Sequence, residues 1–357
     1  MEVLKINEDQ ARAILEMQLQ RLVGMETEKI LGEIAELSTN IKDYRNILAN
    51  KEELDKIIRS ELLAVKKKFN DPRRTMIIED EEKAIINQED LIQEKEAVIT
   101  FSYRHNIKRS SSEEHIRPGK NDYIIDITKG SSLDNLLFFT NTGDVYTLPV
   151  HKIPEHHGLS TGENLNQYLK IPFNEKVIKV ICLSEDIKSK YIFFATRSGM
   201  VKKTLASEYF TNYTSIKAIN LKDSDEVIGI QITDSKQEIL LASKNGQTIR
   251  FQEDSFKPTG RNTQGSIGIR LAEGDELISM NLVQDNDYIV TISDNGKGKR
   301  SQVDEYKIQN RGGKGIKTCG SSIHQIAGVI PAKLNDYILL ITNKEGFYPV
   351  SIADLNE

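Results

Sequence analysis

From residue 97 onward the sequence repeats itself about every fifty residues. One pattern recurs: four or five apolar residues, a small polar turn, then a run mixing apolar and basic residues. The copies are AVITFSYRHNIKRS (97–110), NLLFFTNTGDVYTL (135–148), YIFFATRSGMVKKT (191–204), EILLASKNGQTIRF (238–251), YIVTISDNGKGKRS (288–301) and YILLITNKEGFYPV (337–350). Each reads as a β-hairpin, because alternating apolar residues flank a turn that needs a left-handed residue. Gly143, Gly199, Gly246, Gly296 and Gly346 mark those turns at spacings of 56, 47, 50 and 50 residues. In the first copy His105 stands where the others have glycine.

Between hairpins a second, weaker pattern recurs. IKAINLKDSDEVIGIQI (216–232) and IGIRLAEGDELISMNL (267–282) align closely, while NEKVIKVICL (174–183) and NDYIIDI (121–127) are fainter copies. The expectation is about four short strands per module, the mark of propeller blades. Five full modules are followed by the first hairpin of a sixth, and the chain stops at Asn356-Glu357, where its second half is expected.

The first 72 residues follow a helical period instead. Asn7-Glu8-Asp9-Gln10 has the form of a capping box; Ala11, Leu15, Leu19 and Leu22 follow, and Gly24 is the expected stop. A second helix is expected after Thr27, with Ile30, Ile34, Leu37, Ile41, Tyr44 and Leu48 at heptad spacing. A third follows Asn50, with Leu54, Ile58, Leu62, Val65 and Phe69, and Asn70-Asp71-Pro72 ends it. Two readings stay open: a hairpin closed within the chain, or a dimerisation arm that pairs with a second copy. The organisation expected is therefore multidomain: an N-terminal α-helical coiled-coil arm (1–72), an acidic linker (73–96) and an all-β, six-bladed, propeller-like domain (97–357).

Charge is uneven. Residues 1–96 hold 16 Lys/Arg against 22 Asp/Glu, and residues 97–357 hold 32 against 31. Net charge therefore does not announce a nucleic-acid partner, and any basic footprint must come from placement. Cys182 and Cys319 stand far apart with no CxxC pair, which fits a reducing, cytoplasmic setting. No apolar run approaches the ~20 residues of a membrane span. His156-His157 lacks the spaced partners of a metal site, so no metal ligand is expected. Asp225-Glu226 and Asp275-Glu276 recur beside a strand, which favours a turn role over acid–base chemistry, and no nucleophile elbow is present.

Two sets of residues stand out as candidates for contact with a polyanion. QNRGGKGIK (309–317) offers Gln309, Arg311 and Lys314 with Gly312, Gly313 and Gly315, whose bare backbone would let a phosphate approach. The competing reading is a turn that happens to be charged. The second set is Lys108-Arg109, Lys202-Lys203, Arg250 and Lys299-Arg300, each a few residues past a hairpin turn. Repetition at one radial position suggests a basic stripe around the perimeter; the alternative is charge that protects an exposed edge.

With those residues quoted, the chain resembles a known family. ILEMQLQRLVGMETEKI and KKFNDPRRT resemble the dimerisation gate and returning coiled coil of bacterial type IIA topoisomerase A subunits. RSGMVKKT, GRNTQGSIGIRLAEGDELI and NGKGKRSQVDEY resemble the C-terminal β-pinwheel of DNA gyrase A subunits, in which Arg261 belongs to the DNA-facing set. The resemblance implies a rim that binds and bends double-stranded DNA in support of ATP-dependent supercoiling by the full enzyme. It also implies a homodimer through the arm, and a gyrase B partner met through an N-terminal part not represented here. ATP and Mg²⁺ are then used elsewhere in the enzyme, and no cofactor and no catalytic residue is expected in this chain, a fragment without the tyrosine domain. The first-module position of the family's Gln-x-Arg-Gly-Gly-x-Gly box reads HIRPGKNDY (115–123), while QNRGGKG lies in the fifth. That departure keeps topoisomerase IV, which bends DNA for decatenation, as the alternative. A propeller-type protein–protein scaffold is a third reading, with rim cations in register as the feature that separates it from the first two.

Overall fold

A computed structural model describes residues 7–16, 24–72, 74–75, 92–111, 116, 118–158, 160–222, 224–318, 325–342 and 346–356. The chain divides into two compact units, Met1–Ile85 and Ile86–Glu357. Most of the expected linker, together with Leu19, Leu22 and Cys319, lies outside the described residues.

Helix α1 (Glu8–Glu16) opens on a reciprocal cap: the Asn7 amide donates to Gln10 Oε1 at 3.0 Å, and the Gln10 amide to Asn7 Oδ1 at 2.9 Å. Two further helices follow, α2 (Gly24–Ala49) and α3 (Lys51–Phe69). Gly24 thus begins a helix where a stop was expected, and α2 starts three residues before Thr27. Glycine is tolerated at a helix start as well as beyond its end. Asn50 caps α3, its side chain accepting from the Glu52 amide at 3.1 Å. Every residue of both heptad seams stays exposed, from Leu54 at 38% to Leu48 at 81%. The half-buried apolar positions are instead Ile47 and Ile57, close to the Asn50 joint. A hairpin closed through the heptad seam is therefore not what this chain forms.

Among the described residues, the second unit has 21 strands in six sheets. The six hairpins expected from the repeat are all present: β1 (Glu96–Ser102) with β2 (Asn106–Ser110), β4 (Asn135–Thr140) with β5 (Asp144–Pro149), β8 (Tyr191–Thr196) with β9 (Met200–Leu205), β12 (Glu238–Ser243) with β13 (Gln247–Gln252), β16 (Tyr288–Ser293) with β17 (Gly298–Gln302), and β20 (Tyr337–Ile341) with β21 (Phe347–Ser351). Gly143, Gly199, Gly246 and Gly296 take φ near +80° in the turns, and His105 takes φ 61° in the first, so histidine fills the same left-handed slot. The turn residues 343–345 before Gly346 lie outside the described residues.

The segments between hairpins do not pair with themselves, as their repetition suggested. They split. A short strand crosses to the blade before: β6 (Glu163–Asn164) pairs with β2, β10 (Ser215–Lys217) with β5, β14 (Ser266–Ile267) with β9, and β18 (Ile316–Lys317) with β13. A longer strand then returns to its own hairpin: β7 (Val177–Leu183) to β4, β11 (Val227–Thr233) to β8, β15 (Leu277–Val283) to β12, and β19 (Ile326–Ala332) to β16; β3 (Ile124–Ser131) does the same for β1. Among the described residues, blades one to four therefore have four strands, the fifth three and the sixth two.

Asp225 and Asp275 serve this return, as the turn reading expected. Their Oδ1 atoms accept from the Ser198 and Asn245 amides at 2.9 and 3.0 Å and so cap the hairpin turns. The first hairpin strands of blades two, three and four are buried on both faces because the apolar core lies in the seams between consecutive sheets. The return strands β3, β7, β11, β15 and β19 contact one another in sequence and form the inner edge. The swapped strands β6, β10, β14 and β18 lie at the opposite, outer edge.

Candidate nucleic-acid interface

Lysine and arginine just past the hairpin turns were the strongest expectation of a rim stripe, and the structure corrects it. Lys108, Lys202, Lys203 and Arg250 are only 3, 1, 2 and 5% exposed, and Arg109, Lys299 and Arg300 are half-buried. The physical reason is the swap. In blades one, three and four, the edge on which these residues sit is covered by the short strand of the next module, so it is no longer an edge.

Once inside, each cation needs partners. Lys203 forms an ion pair with Glu253 at 3.0 Å, both side chains essentially unexposed. Arg250 donates from Nε to Glu238 at 2.6 Å, and from Nη1 to the carbonyls of Val303 at 2.9 Å and Tyr306 at 3.3 Å. Arg300 donates to the Ile352 and Ala353 carbonyls at 2.9 and 3.1 Å and lies over the Tyr288 ring. Lys203, Arg250 and Arg300 occupy one register position, opposite Phe193, Leu240 and Val290, and each grips the turn that follows the next hairpin. They are clamps between blades.

One position earlier, the Lys108 amine donates to the Gly158 carbonyl at 2.8 Å. Lys202 donates to the carbonyls of Ala218 and Arg261, which belong to two different outer segments. Burial in this seam, with Arg261 nearby, pulls the Lys202 ammonium down to about 8.

The glycines of QNRGGKG also serve the fold. The Gly312 amide donates to the Gly268 carbonyl at 2.8 Å, so it is not free for phosphate as the sequence suggested. Gly315 has φ +73°, and a Cβ there would lie 2.5 Å from the Thr248 carbonyl oxygen. Gly162 and Gly265 make the same close approach to Ile107 and Val201. These glycines admit the swapped strand; the turn-like reading of the loop holds for its backbone. Its side chains are another matter. Arg311 and Lys314 are exposed, and Gln309 and Arg261 are half-exposed. The Arg311 guanidinium lies 4.8 Å over Phe256.

What the sequence reading missed is the outer segments that carry the swapped strands. Residues 209–222 hold two Lys/Arg, 256–271 hold three and 306–318 hold four, with no Asp or Glu in any of them. The counterpart in the second module, residues 153–170, has one cation against two acids. Lys217, Lys222, Lys257, Arg270, Lys307 and Lys317 are all exposed. The signal was available: acid-free stretches at a fixed place in the repeat. Moreover, the three basic segments are stitched together. Asn220 donates through its backbone to Thr263 at 3.1 Å and through Nδ2 to Asn262 at 2.9 Å, and the Arg270 amide donates to Gly313 at 2.9 Å. The outcome is one continuous basic belt, met by outside carboxylates at the Arg261 amide, which donates to Glu208 at 3.1 Å, and at Lys217, which pairs with Asp144 at 3.0 Å.

Hairpin blades closed by a strand from the following module, with a basic outer edge, define a β-pinwheel of the propeller class. The sequence matches the family of DNA gyrase C-terminal domains, β-propeller, over residues 134–184, 190–234, 237–284 and 287–322, half of the chain. The chain belongs to that family. It is 38% identical to the DNA gyrase A protein of Clostridium acetobutylicum over 371 residues, an alignment that takes in 100% of this chain and 44% of the relative. The DNA gyrase A protein of Staphylococcus epidermidis is 37% identical over 379 residues, with 100% and 42% covered. The chain thus spans less than half the length of these relatives. Among solved structures, the C-terminal domain of DNA topoisomerase IV aligns at TM-score 0.69 and 27% identity, covering 74% of this chain and 85% of that one. A DNA gyrase A C-terminal domain aligns at TM-score 0.57 and 21% identity, over 74% and 92%, and speaks for the fold alone. No helix among the described residues is long and apolar enough to cross a membrane.

Proposed function

We propose that this chain is the DNA-bending tail of a gyrase A protein, and that duplex DNA runs along the basic belt of the third, fourth and fifth modules. The observation that carries this reading is the stitched outer edge, with nine Lys/Arg and no carboxylate in segments 209–222, 256–271 and 306–318. DNA carries a charge every ~1.7 Å of axis. Its persistence length of ~150 bp makes a sharp bend costly. Counterion release along a curved, basic edge offsets that cost. Phosphate contacts position DNA without reading its sequence, so binding is sequence-tolerant and strongly salt-dependent.

On this reading the chain holds no catalytic residue of its own. ATP and Mg²⁺ are handled elsewhere in the full enzyme, and the gyrase B partner meets parts beyond this chain. The exposed heptad seams of α2 and α3 are offered to a helical partner in the homodimer. A second reading, a bending platform of the topoisomerase IV kind, is favoured by the better structural likeness to that domain and by HIRPGKNDY standing in place of a first-module box.

A topology assay separates the two. The chain is bound to relaxed circular DNA, a nicking-closing enzyme is added, and the trapped linking-number change is scored. The expectation is a change that Arg311→Ala with Lys314→Ala abolishes. Salt-sensitive binding with no linking change would favour the topoisomerase IV reading, and an absence of salt-sensitive binding would sink both.

A further inference from the structure

One blade departs from the clamp rule. Hairpins one, three, four and five have Arg109, Lys203, Arg250 and Arg300 at one register position, but the second has Thr147 there, opposite Leu137. The residue that meets the clamp from the start of its own hairpin changes too. Glu238 pairs with Arg250, and Lys203 and Arg300 lie over the Tyr191 and Tyr288 rings. In blade two the corresponding first residue is Asn135. Both members of the clamp are replaced by short, uncharged side chains.

Both residues line a cavity of about 970 Å³, walled also by residues 167–169 and 211–214. That is the upper end of the range for ligand pockets, about 300–1,000 Å³. Leu148 and Leu169 supply apolar wall. Three polar atoms of the lining residues have no hydrogen-bond partner: Thr147 Oγ1, His151 Nδ1 and Thr211 Oγ1. Thr147 itself is only 9% exposed. Buried polar atoms left unpaired are costly, and rotation about χ1 exchanges a threonine's hydroxyl with its methyl, so an occupant can recruit it. Charge at the site is one-sided. Lys152 is exposed and makes no ion pair among the described residues, and no carboxylate lines the cavity.

We infer that this cavity is a binding site for a small organic carboxylate with an apolar body. Its head is taken by the Lys152 ammonium, the two threonine hydroxyls and the His151 imidazole, and its body lies against Leu148 and Leu169. A cation there would meet Lys152 with no acid to offset it, and a neutral ligand would leave Lys152 unpaired. The inference does not depend on the DNA reading, since none of the belt's exposed cations lines the cavity. An occupant bridges β5 to residues 211–214, and so rebuilds in blade two the link to the next module that Lys203, Arg250 and Arg300 make elsewhere.

The test titrates the full chain with benzoate, benzamide and benzamidine, probes of one shape that are negative, neutral and positive. Binding is read from the His151 and Tyr213 ring signals by NMR and from the melting temperature. Benzoate is expected to shift both signals and raise the melting temperature, with benzamide weaker and benzamidine weakest. Thr147→Arg restores a clamp cation and fills the cavity, so it is expected to melt higher than wild type and to lose the benzoate response. Should the arginine not be accommodated, Thr147→Val keeps the shape and is expected to weaken benzoate about fivefold, the worth of one hydrogen bond. Lys152→Gln is expected to weaken it about two- to fivefold, as for an exposed ion pair. Lys236→Gln, on the exposed turn between β11 and β12, serves as control and is expected to change nothing. Signals that no probe moves, or a benzoate response that Thr147→Val and Lys152→Gln leave intact, would overturn the site. A preference for benzamidine would overturn the carboxylate and make the slot one for an external cation. Inorganic phosphate binding as tightly as benzoate would overturn the role of the apolar body.

Discussion

Two populations of Lys and Arg occupy this pinwheel, and their contrast is instructive. One sits on the second hairpin strands, at regular positions, looking like a basic edge. The other sits on irregular connections of no obvious pattern. The regular set is buried or half-buried: Lys203, Arg250 and Arg300 hold the turns of the neighbouring blade. The irregular set faces solvent, in segments without a single carboxylate. Periodicity in a repeat protein therefore marks what the repeat needs to stack. Function is read from the segments that the stacking leaves outside.

The comparison breaks most visibly at Glu253. Removing it strands the Lys203 ammonium in a sealed seam, where loss of one partner of a buried pair typically costs about 3–5 kcal/mol. Glu253→Ala should lower the denaturant midpoint accordingly, with the affinity of the remaining folded protein for DNA unchanged; a surface-like cost below about 0.5 kcal/mol would show the clamp to be idle. Gly315→Ala comes next. The new Cβ meets the Thr248 carbonyl at 2.5 Å in a left-handed backbone, which should cost about 1–3 kcal/mol. Because β18 carries the fifth-module segment, DNA binding should weaken along with stability, unlike at Glu253. On the belt, Arg270→Gln should leave stability within about 0.5 kcal/mol while lowering the salt slope by ~0.9. Lys170→Gln, in the segment with two acids, should leave the slope unchanged. Equal slopes for the two variants would erase the distinction between segments.

The sequence made the hairpins legible because a hairpin is local: its strands and turn lie within fourteen residues, and the left-handed turn residue announces itself. The cap at Asn7 was legible for the same reason. The swap was not. Strands such as Ser266–Ile267 and Ile316–Lys317 are two residues long, too short for any alternation, and their partners lie in the preceding module. Missing the swap then misplaced the cations: without a covering strand, Lys202 and Arg250 read as solvent-facing. Arg311 and Lys314 were found by their glycine neighbours, although among those glycines Gly315 turned out to serve the close approach to Thr248. Lys257 and Arg270, with no such neighbours, passed unnoticed.

The smallest expected effect sits where the two populations meet. Lys202 belongs to the buried set by position, yet its amine ties Ala218 to Arg261 and so joins two segments of the belt. Its folded-state value of about 8 lies below the ordinary 10.5 of lysine. Between those two values the unfolded chain binds more protons than the folded one, so stability rises with pH across that window. Below pH 8 both states are protonated, and the full cost of burying the charge is present. Lys202→Met should remove this rise from the pH profile of the denaturant midpoint, because it deletes the ammonium that lies 5.6 Å from the Phe194 ring centre and leaves an apolar side chain of similar length. It should also loosen Arg261 and reduce DNA bending more than DNA affinity, because no phosphate contact at the outer surface has been deleted. If instead affinity and bending fall in proportion, Lys202 acts as a direct ligand of the backbone, and the line between clamp and belt has to be redrawn at that residue.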